Sequence, residues 1–199
     1  MNAIQTAALL LGLALISPAS SDNSTFASRL VQAARERTSH QVVYDGSYHS
    51  MAYPGGDVAG NTGVCSDVVI RSYRALGLDL QKLVHEDMSR HFGEYPSRRI
   101  WGLKTTDRNI DHRRVPNLQV FFKRHGSVLK ISEDPQDYLP GDLVSWMLPG
   151  NLPHIGIVVD ERSNDGSRPL IVHNIGQGPK MEDRLFEFAI TGHYRYTGE

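Results

Sequence analysis

"AGNTGVCSDVVIRSYRALGL", residues 59–78, decides how this chain folds and contains its one cysteine, Cys65. From Cys65 onward Val68, Val69, Tyr73 and Leu76 fall three or four positions apart, and Gly77 ends the pattern. That spacing predicts a buried amphipathic helix with the cysteine in its first turn, entered from a glycine-rich loop. A helix amino terminus favours a thiolate through its dipole and free N–H groups, and such sites bring a thiol from ~8.5 to between ~3.5 and ~7.5. The same N–H groups suit a developing oxyanion, and Gly60 and Gly63 leave room for close approach. Asp67, in the same turn, opposes thiolate formation. The expectation is a nucleophilic cysteine that alkylates readily below neutral pH.

The compartment sharpens this reading. Residues 7–16, "AALLLGLALI", form an apolar run followed by "SPASS", which predicts a signal peptide over residues 1–20, cut after Ala19 or Ser20. "MNAIQT" supplies no Lys or Arg to the segment before the run. The run is too short to span a bilayer comfortably, and no cysteine near the cut could carry a lipid anchor. A mature domain from Ser21 to residue 199, periplasmic or secreted and without a stable membrane anchor, is expected. There Cys65 has no partner in its own chain for a disulfide, so the thiol is either buried or used.

Lys plus Arg (21) nearly balances Asp plus Glu (22) in the 199 residues. No overall basic field recruits nucleic acid, and none is expected as a partner. "STFASRLVQAARERTSH" (24–40) and "DLQKLVHEDMSRHF" (79–92) have helical spacing, and "QVVYD" reads as short and extended. "YPSRRIWGLKTTDRNIDHRRVPN" (95–117) reads as a long polar loop, and "LQVFFKRHG" as helix or strand ending at glycine. After "LPGD" the pattern turns to β in "LVSWML", "HIGIVVD", "PLIVHNIG" and "FEFAITGHYRY". Helices first and strands later predict one α+β domain, amino-terminal helices packed on a mainly antiparallel sheet.

Two of nine histidines stand apart. His154 opens "HIGIVVD" and His173 lies in "LIVHNIG", on two strands joined by the turn-rich "ERSNDGSRP". If these pair as a hairpin, one imidazole can act as base while the second fixes its tautomer.

Together these pieces resemble the NlpC-type and CHAP-like peptidoglycan peptidases and amidases of the papain-like superfamily. The resemblance runs through "YPGGDVAGNTGVCSDVVIRSYRALGL", "YLPGDLVSW", "HIGIVVD" and "IVHN", about residues 44 to 175. It implies a papain-like fold, with Cys65 as nucleophile, His154 as general base and acid, and His173 as the orienting third residue, with Asn174 as the alternative. Tyr53 would stand beside the nucleophile, and Ser66 and Asn174 near substrate or oxyanion. The implied reaction is amide hydrolysis through an acyl-enzyme, most simply in peptidoglycan stem peptides, with no cofactor or metal and in a monomer. Val64 and Asp67 depart from the common motif, which has Asp before the cysteine and Gly after Cys-Ser; the match is to a divergent bacterial branch described only as a domain of unknown function.

Segment 101–122 has no counterpart in that pattern. Trp101, Asp111, His112, Arg113 and Arg114 within it form a candidate groove wall, the arginines suited to carboxylates of an acidic peptide. On that reading Arg113→Ala with Arg114→Ala raises KM. The rivals are a metal hydrolase, weakened by the six-residue spacing of His85 and His91, and a serine hydrolase, for which no GxSxG elbow occurs. A non-catalytic wall-binding module or a secreted effector on the same fold is the alternative from another class.

Overall fold

A computed structural model describes residues 24–198. The expected signal peptide, residues 1–20, lies outside the described residues. Helix α1 (Phe26–Arg37) starts where the Thr25 side chain accepts from the Ser28 N–H, and it buries Leu30, Val31 and Ala34. Two short strands, β1 (Val43–Tyr44) and β2 (Thr62–Gly63), pair in parallel. They bring the start of the glycine loop back to its end. Helix α2 (Cys65–Ala75) follows at once, and Gly77 beyond it takes a φ of 84°.

Helix α3 (Leu80–His91) is capped by Asp79. The stretch read as a long loop holds a short helix, α4 (Ser97–Trp101), and a 3-10 turn over Asp111–Arg113. Neither has an apolar period long enough to stand out in sequence. Their polar groups are satisfied internally: Gln81 Nε2 donates to the Arg108 carbonyl at 3.1 Å and Asn117 Nδ2 to the Asp111 carbonyl at 3.1 Å. Helix α5 (Val115–His125) then takes up "LQVFFKRH". Pro116 sits in its first turn, where its missing N–H costs nothing.

The rest is sheet: β3 (Ser127–Val128), β4 (Leu143–Leu148), β5 (Leu152–Arg162), β6 (Pro169–His173), β7 (Lys180–Glu182) and β8 (Ala189–Arg195). Their order is β3-β8-β4-β5-β6-β7, antiparallel throughout. The protein is therefore mixed α and β, with a mainly antiparallel six-stranded sheet, as the sequence led one to expect. The expected hairpin is β5–β6. The Asp142 of "LPGD" is fully buried and accepts from His193 Nε2 at 2.9 Å and Arg195 Nε at 2.7 Å, locking the turn before β4 to β8.

Two apolar layers flank the sheet. Leu30, Val69, Tyr73, Leu118 and Phe122 from the helices pack on Ile155, Ile157, Val159 and Val172. On the opposite face Tyr138, Val144, Trp146, Val158, Ile171 and Leu185 form a smaller cluster. Among the described residues no helix is long and apolar enough to cross a membrane.

Candidate active site

Cys65 is the first residue of α2, and Val64 before it is extended. With no side-chain oxygen at Val64 to cap the helix, Asp67 reaches back and accepts from the Val64 N–H at 2.7 Å. Its carboxylate also accepts from Arg113 Nε at 2.9 Å and Nη2 at 2.8 Å, a two-pronged pair with both side chains buried. The charge that opposes a thiolate is thus answered by a guanidinium from the 3-10 turn. A Cβ at Gly63 would lie 3.2 Å from Asp67, so this glycine makes room for the carboxylate rather than for a substrate.

The β5–β6 register pairs Ile157 with Val172, which puts Ile155 opposite residue 174, one place past the end of β6. There its N–H meets no strand partner and is directed at the Cys65 sulfur, together with the N–H groups of Ser66 and Cys65 itself. Alternation along β5 sends Ile155 to the helix side and His154 to the side of Trp146, whose ring centroid is 5.9 Å away. His154 Nε2 lies 2.8 Å from His173 Nδ1, and His173 Nε2 lies 3.1 Å from Glu182 Oε2 on β7. The β6–β7 register places Glu182 opposite Ile171, on the same face as His173.

This chain of contacts assigns both tautomers. A carboxylate only accepts, so His173 carries its proton on Nε2 and offers a bare Nδ1. His154 must then donate from Nε2, which leaves its Nδ1 as the free base. Gly156 is what lets the strands come this close: a Cβ there would lie 2.6 Å from Cγ2 of Ile171 and 3.1 Å from Cβ of His173.

Burial governs the protonation states. It pushes the Cys65 thiol up to about 11, outweighing the three N–H groups that favour the anion. Burial likewise lowers His154 to about 3, reinforced by His173 and Arg184, and lowers His173, with Glu182 opposing. The expectation of a low thiol pKa is overturned: Cys65 is only 4% exposed, and desolvation of the anion exceeds what one helix terminus returns. The Cys65 thiol and the His154 imidazole each rest neutral, and among the described residues the thiol makes no side-chain hydrogen bond.

A stability consequence follows. An unfolded chain protonates its histidines near 6.5, whereas the folded protein keeps His154 neutral to about 3 and His112 to about 4. Between those values the unfolded state binds more protons, so stability is complete above about pH 6.5 and falls with acidification by roughly 1 kcal/mol per pH unit per such imidazole. Urea midpoints should drop from pH 7 to pH 5; an equal or higher midpoint at pH 5 contradicts this burial.

Cys65 lies on the floor of a cleft of about 450 Å³ lined by Tyr44, Tyr48, Trp101, Arg114 and Pro153. Trp101 and Arg114 line this cleft side by side, the guanidinium 4.2 Å over the indole ring. Three neighbours offer it no free charge. Arg113 also borders the cleft, but its fork is spent on Asp67 and the Asp45 and Ser47 carbonyls. Asp111 is fully buried, accepting from the Asp107 N–H at 2.5 Å and Arg114 Nη1 at 3.2 Å. His112 is 2% exposed and neutral. This run of charges is folded inward because its charges find partners, Arg114 on Asp111 within the run and Arg113 on Asp67 of α2.

Tyr53 is also displaced from its expected place. Its ring packs edge-on to His85 on α3 at 5.0 Å and under Arg108, away from the cleft. The loop carries it off, because Gly56 N–H donates to Gln81 at 2.8 Å and Asp57 pairs with Arg71 and Arg74. The tyrosine beside the thiol is Tyr44, whose hydroxyl is pushed up to about 12 by burial and by Cys65 and Asp67. The parallel β1–β2 pairing sets it there. Ser66 is corrected too: its hydroxyl donates to the Arg113 carbonyl at 2.7 Å, leaving only its N–H toward the sulfur. Asn174 bridges the Gly63 carbonyl at 3.4 Å and the Gly176 N–H at 3.0 Å, so the residue bonded to His154 is His173. Among the described residues no three His, Cys, Asp or Glu side chains converge to hold a metal ion.

Fold and site together define an α+β protein with a helix-start cysteine and a His-His-Glu chain on three adjacent antiparallel strands. The chain belongs to the family described as Domain of unknown function (DUF1287), which it matches over residues 31–196. It is similar to the Uncharacterized protein YijF of Escherichia coli (strain K12), with 52% identity over 167 residues, 84% of this chain and 80% of that protein.

Proposed function

We propose that this protein is an exported, papain-like cysteine hydrolase that cleaves an amide bond of peptidoglycan stem peptides in the bacterial periplasm or outside the cell. The observation that carries the reading is the tautomer-fixed chain His154–His173–Glu182, which begins one residue before Ile155, the residue whose N–H is directed at the Cys65 sulfur. In the proposed reaction the Cys65 sulfur bonds to the carbonyl carbon while the thiol proton passes to His154 Nδ1. Backbone N–H groups at the start of α2 hold the oxyanion. His154 then returns the proton to the leaving amine as the C–N bond breaks, and water, deprotonated by the same nitrogen, releases the acid from the thioester. The scheme requires His154 Nδ1 to face the thiol across the gap past the end of β6. Because both groups rest neutral, proton transfer accompanies attack instead of preceding it.

Glu182 acts here through His173, as a positioning residue. Glu182→Gln keeps the shape but removes the acceptor-only group that fixes His173: an amide turned with its NH2 toward His173 Nε2 inverts both tautomers and blocks Nδ1 of His154. A fall in kcat of ~10²-fold or more with little change in KM is expected, by analogy with loss of a tautomer-fixing carboxylate; Glu182→Asp should recover part of it. Unchanged kcat and pH profile in Glu182→Gln would remove this role.

A second reading, a non-catalytic wall-binding module, is favoured by one observation, the burial of a thiol held at about 11. Incubation of purified peptidoglycan with wild type and Cys65→Ala, with soluble products resolved by mass, decides between them. Fragments from wild type alone support the hydrolase and name the bond. Sacculus binding by both proteins without fragments supports the module.

A further inference from the structure

The cleft above Cys65 continues beyond the thiol. Trp101, Pro116 and Pro153 line it and also line a larger trough of about 950 Å³ that runs between α4, α5 and the ends of β4 and β5. Its apolar surface includes Ile100 and Met147, 44% and 37% exposed, with Val120 and Tyr194. Its rim carries Arg98, Arg99 and Lys123, all exposed, with Glu94 the one carboxylate among its lining residues.

These cations differ from their neighbours. Arg113, Arg114 and Arg124 on the adjoining segments are paired with Asp67, Asp111 and Asp87, whereas Arg98, Arg99 and Lys123 make no ion pair among the described residues. Leaving three cations unpaired around an apolar trough joined to a nucleophile's cleft invites a ligand that brings its own negative charges. A net charge of −1 for the whole chain gives no wide basic field of the kind a nucleic acid needs. A flexible chain with apolar stems and separated carboxylates fits better.

We infer that this trough is a substrate subsite for a peptide carrying free carboxylates, which Arg98, Arg99 and Lys123 receive while Arg114 and Trp101 guide the chain toward Cys65. This deepens the hydrolase reading and rests on it for the direction of the chain. It also moves carboxylate recognition from Arg113, which Asp67 occupies, to residues one short helix upstream and one helix downstream.

The test uses full-length Cys65→Ala and a fluorescein-labelled tetrapeptide containing a γ-linked glutamate, with its carboxylates free or all amidated, followed by anisotropy. The free-acid peptide should bind about tenfold more tightly at low salt, with the difference shrinking at 0.5 M salt. The triple variant Arg98→Gln, Arg99→Gln, Lys123→Gln should lose that preference while binding the amidated peptide as before. Lys130→Gln with Arg162→Gln, outside the trough, should leave it intact. Equal affinity for the two peptides, an unaffected triple variant, or an oligonucleotide that competes as strongly as the free-acid peptide would overturn the inference. Turnover by wild type is scored separately: charge preference without Cys65-dependent cleavage keeps the trough and removes the nucleophile, and cleavage without charge preference does the reverse.

Discussion

Cys65→Ala is expected to lower kcat/KM for the amide substrate by ~10⁴-fold or more while leaving the far-UV spectrum and melting profile close to wild type. The thiol lies at the floor of the cleft, and removing one sulfur from a helix start costs little packing. His154→Ala should lose nearly as much, since the proposed scheme gives the neutral thiol no other base, and the double variant should lose little beyond either single one. That non-additivity separates a thiol–imidazole unit from two unrelated surface effects. Steady-state rates on soluble stem-peptide fragments, measured for the three variants, check it; activity of Cys65→Ala within tenfold of wild type would contradict the scheme.

Arg113→Ala should destabilise the fold by about 3–5 kcal/mol, because it strands the Asp67 carboxylate in the protein interior without its partner. The loss reaches further than one pair. The Arg113 guanidinium also donates to the Asp45 and Ser47 carbonyls, and its own carbonyl receives the Ser66 hydroxyl, so one residue ties the loop before the glycine stretch to the start of α2. The double variant Asp67→Asn, Arg113→Met should recover part of the stability, since neither remaining group is charged. Urea unfolding at pH 7 measures both. An unchanged midpoint in Arg113→Ala, accompanied by a raised KM, would return Arg113 to the carboxylate-binding role that its sequence setting suggests.

Those two residues show what sequence carries and what it withholds. The helix from Cys65 is legible because its apolar positions repeat at 3.6 and glycine ends it. The β5–β6 hairpin is legible because two Val/Ile runs flank a turn-rich segment, and this alone brings His154 to His173. Glu182 is invisible: β7 has three residues, too few for alternation, and its place beside His173 exists only through strand register. Tyr53 misleads because nearness to the glycine loop in sequence is undone by Gln81, Arg71 and Arg74, which hold that loop against α2 and α3. Tyr44 takes its place through a two-residue parallel pairing that no propensity announces. The charged segment 107–114 misleads for a related reason, since polarity predicts solvent exposure only for charges without partners. The thiol's pKa is the hardest to read, because the helix dipole is local and sequence-visible whereas desolvation depends on everything packed around the sulfur.

The central claim is a covalent intermediate on Cys65. Acid-quenching the protein within milliseconds of mixing with an excess of stem-peptide substrate, then measuring intact mass and mapping the adduct by digestion, tests it most directly. A mass increase equal to the acyl half of the cleaved peptide, located on Cys65 and absent from Cys65→Ala, is the predicted result. Cleavage that proceeds with no adduct on Cys65, and persists in Cys65→Ala, would contradict it.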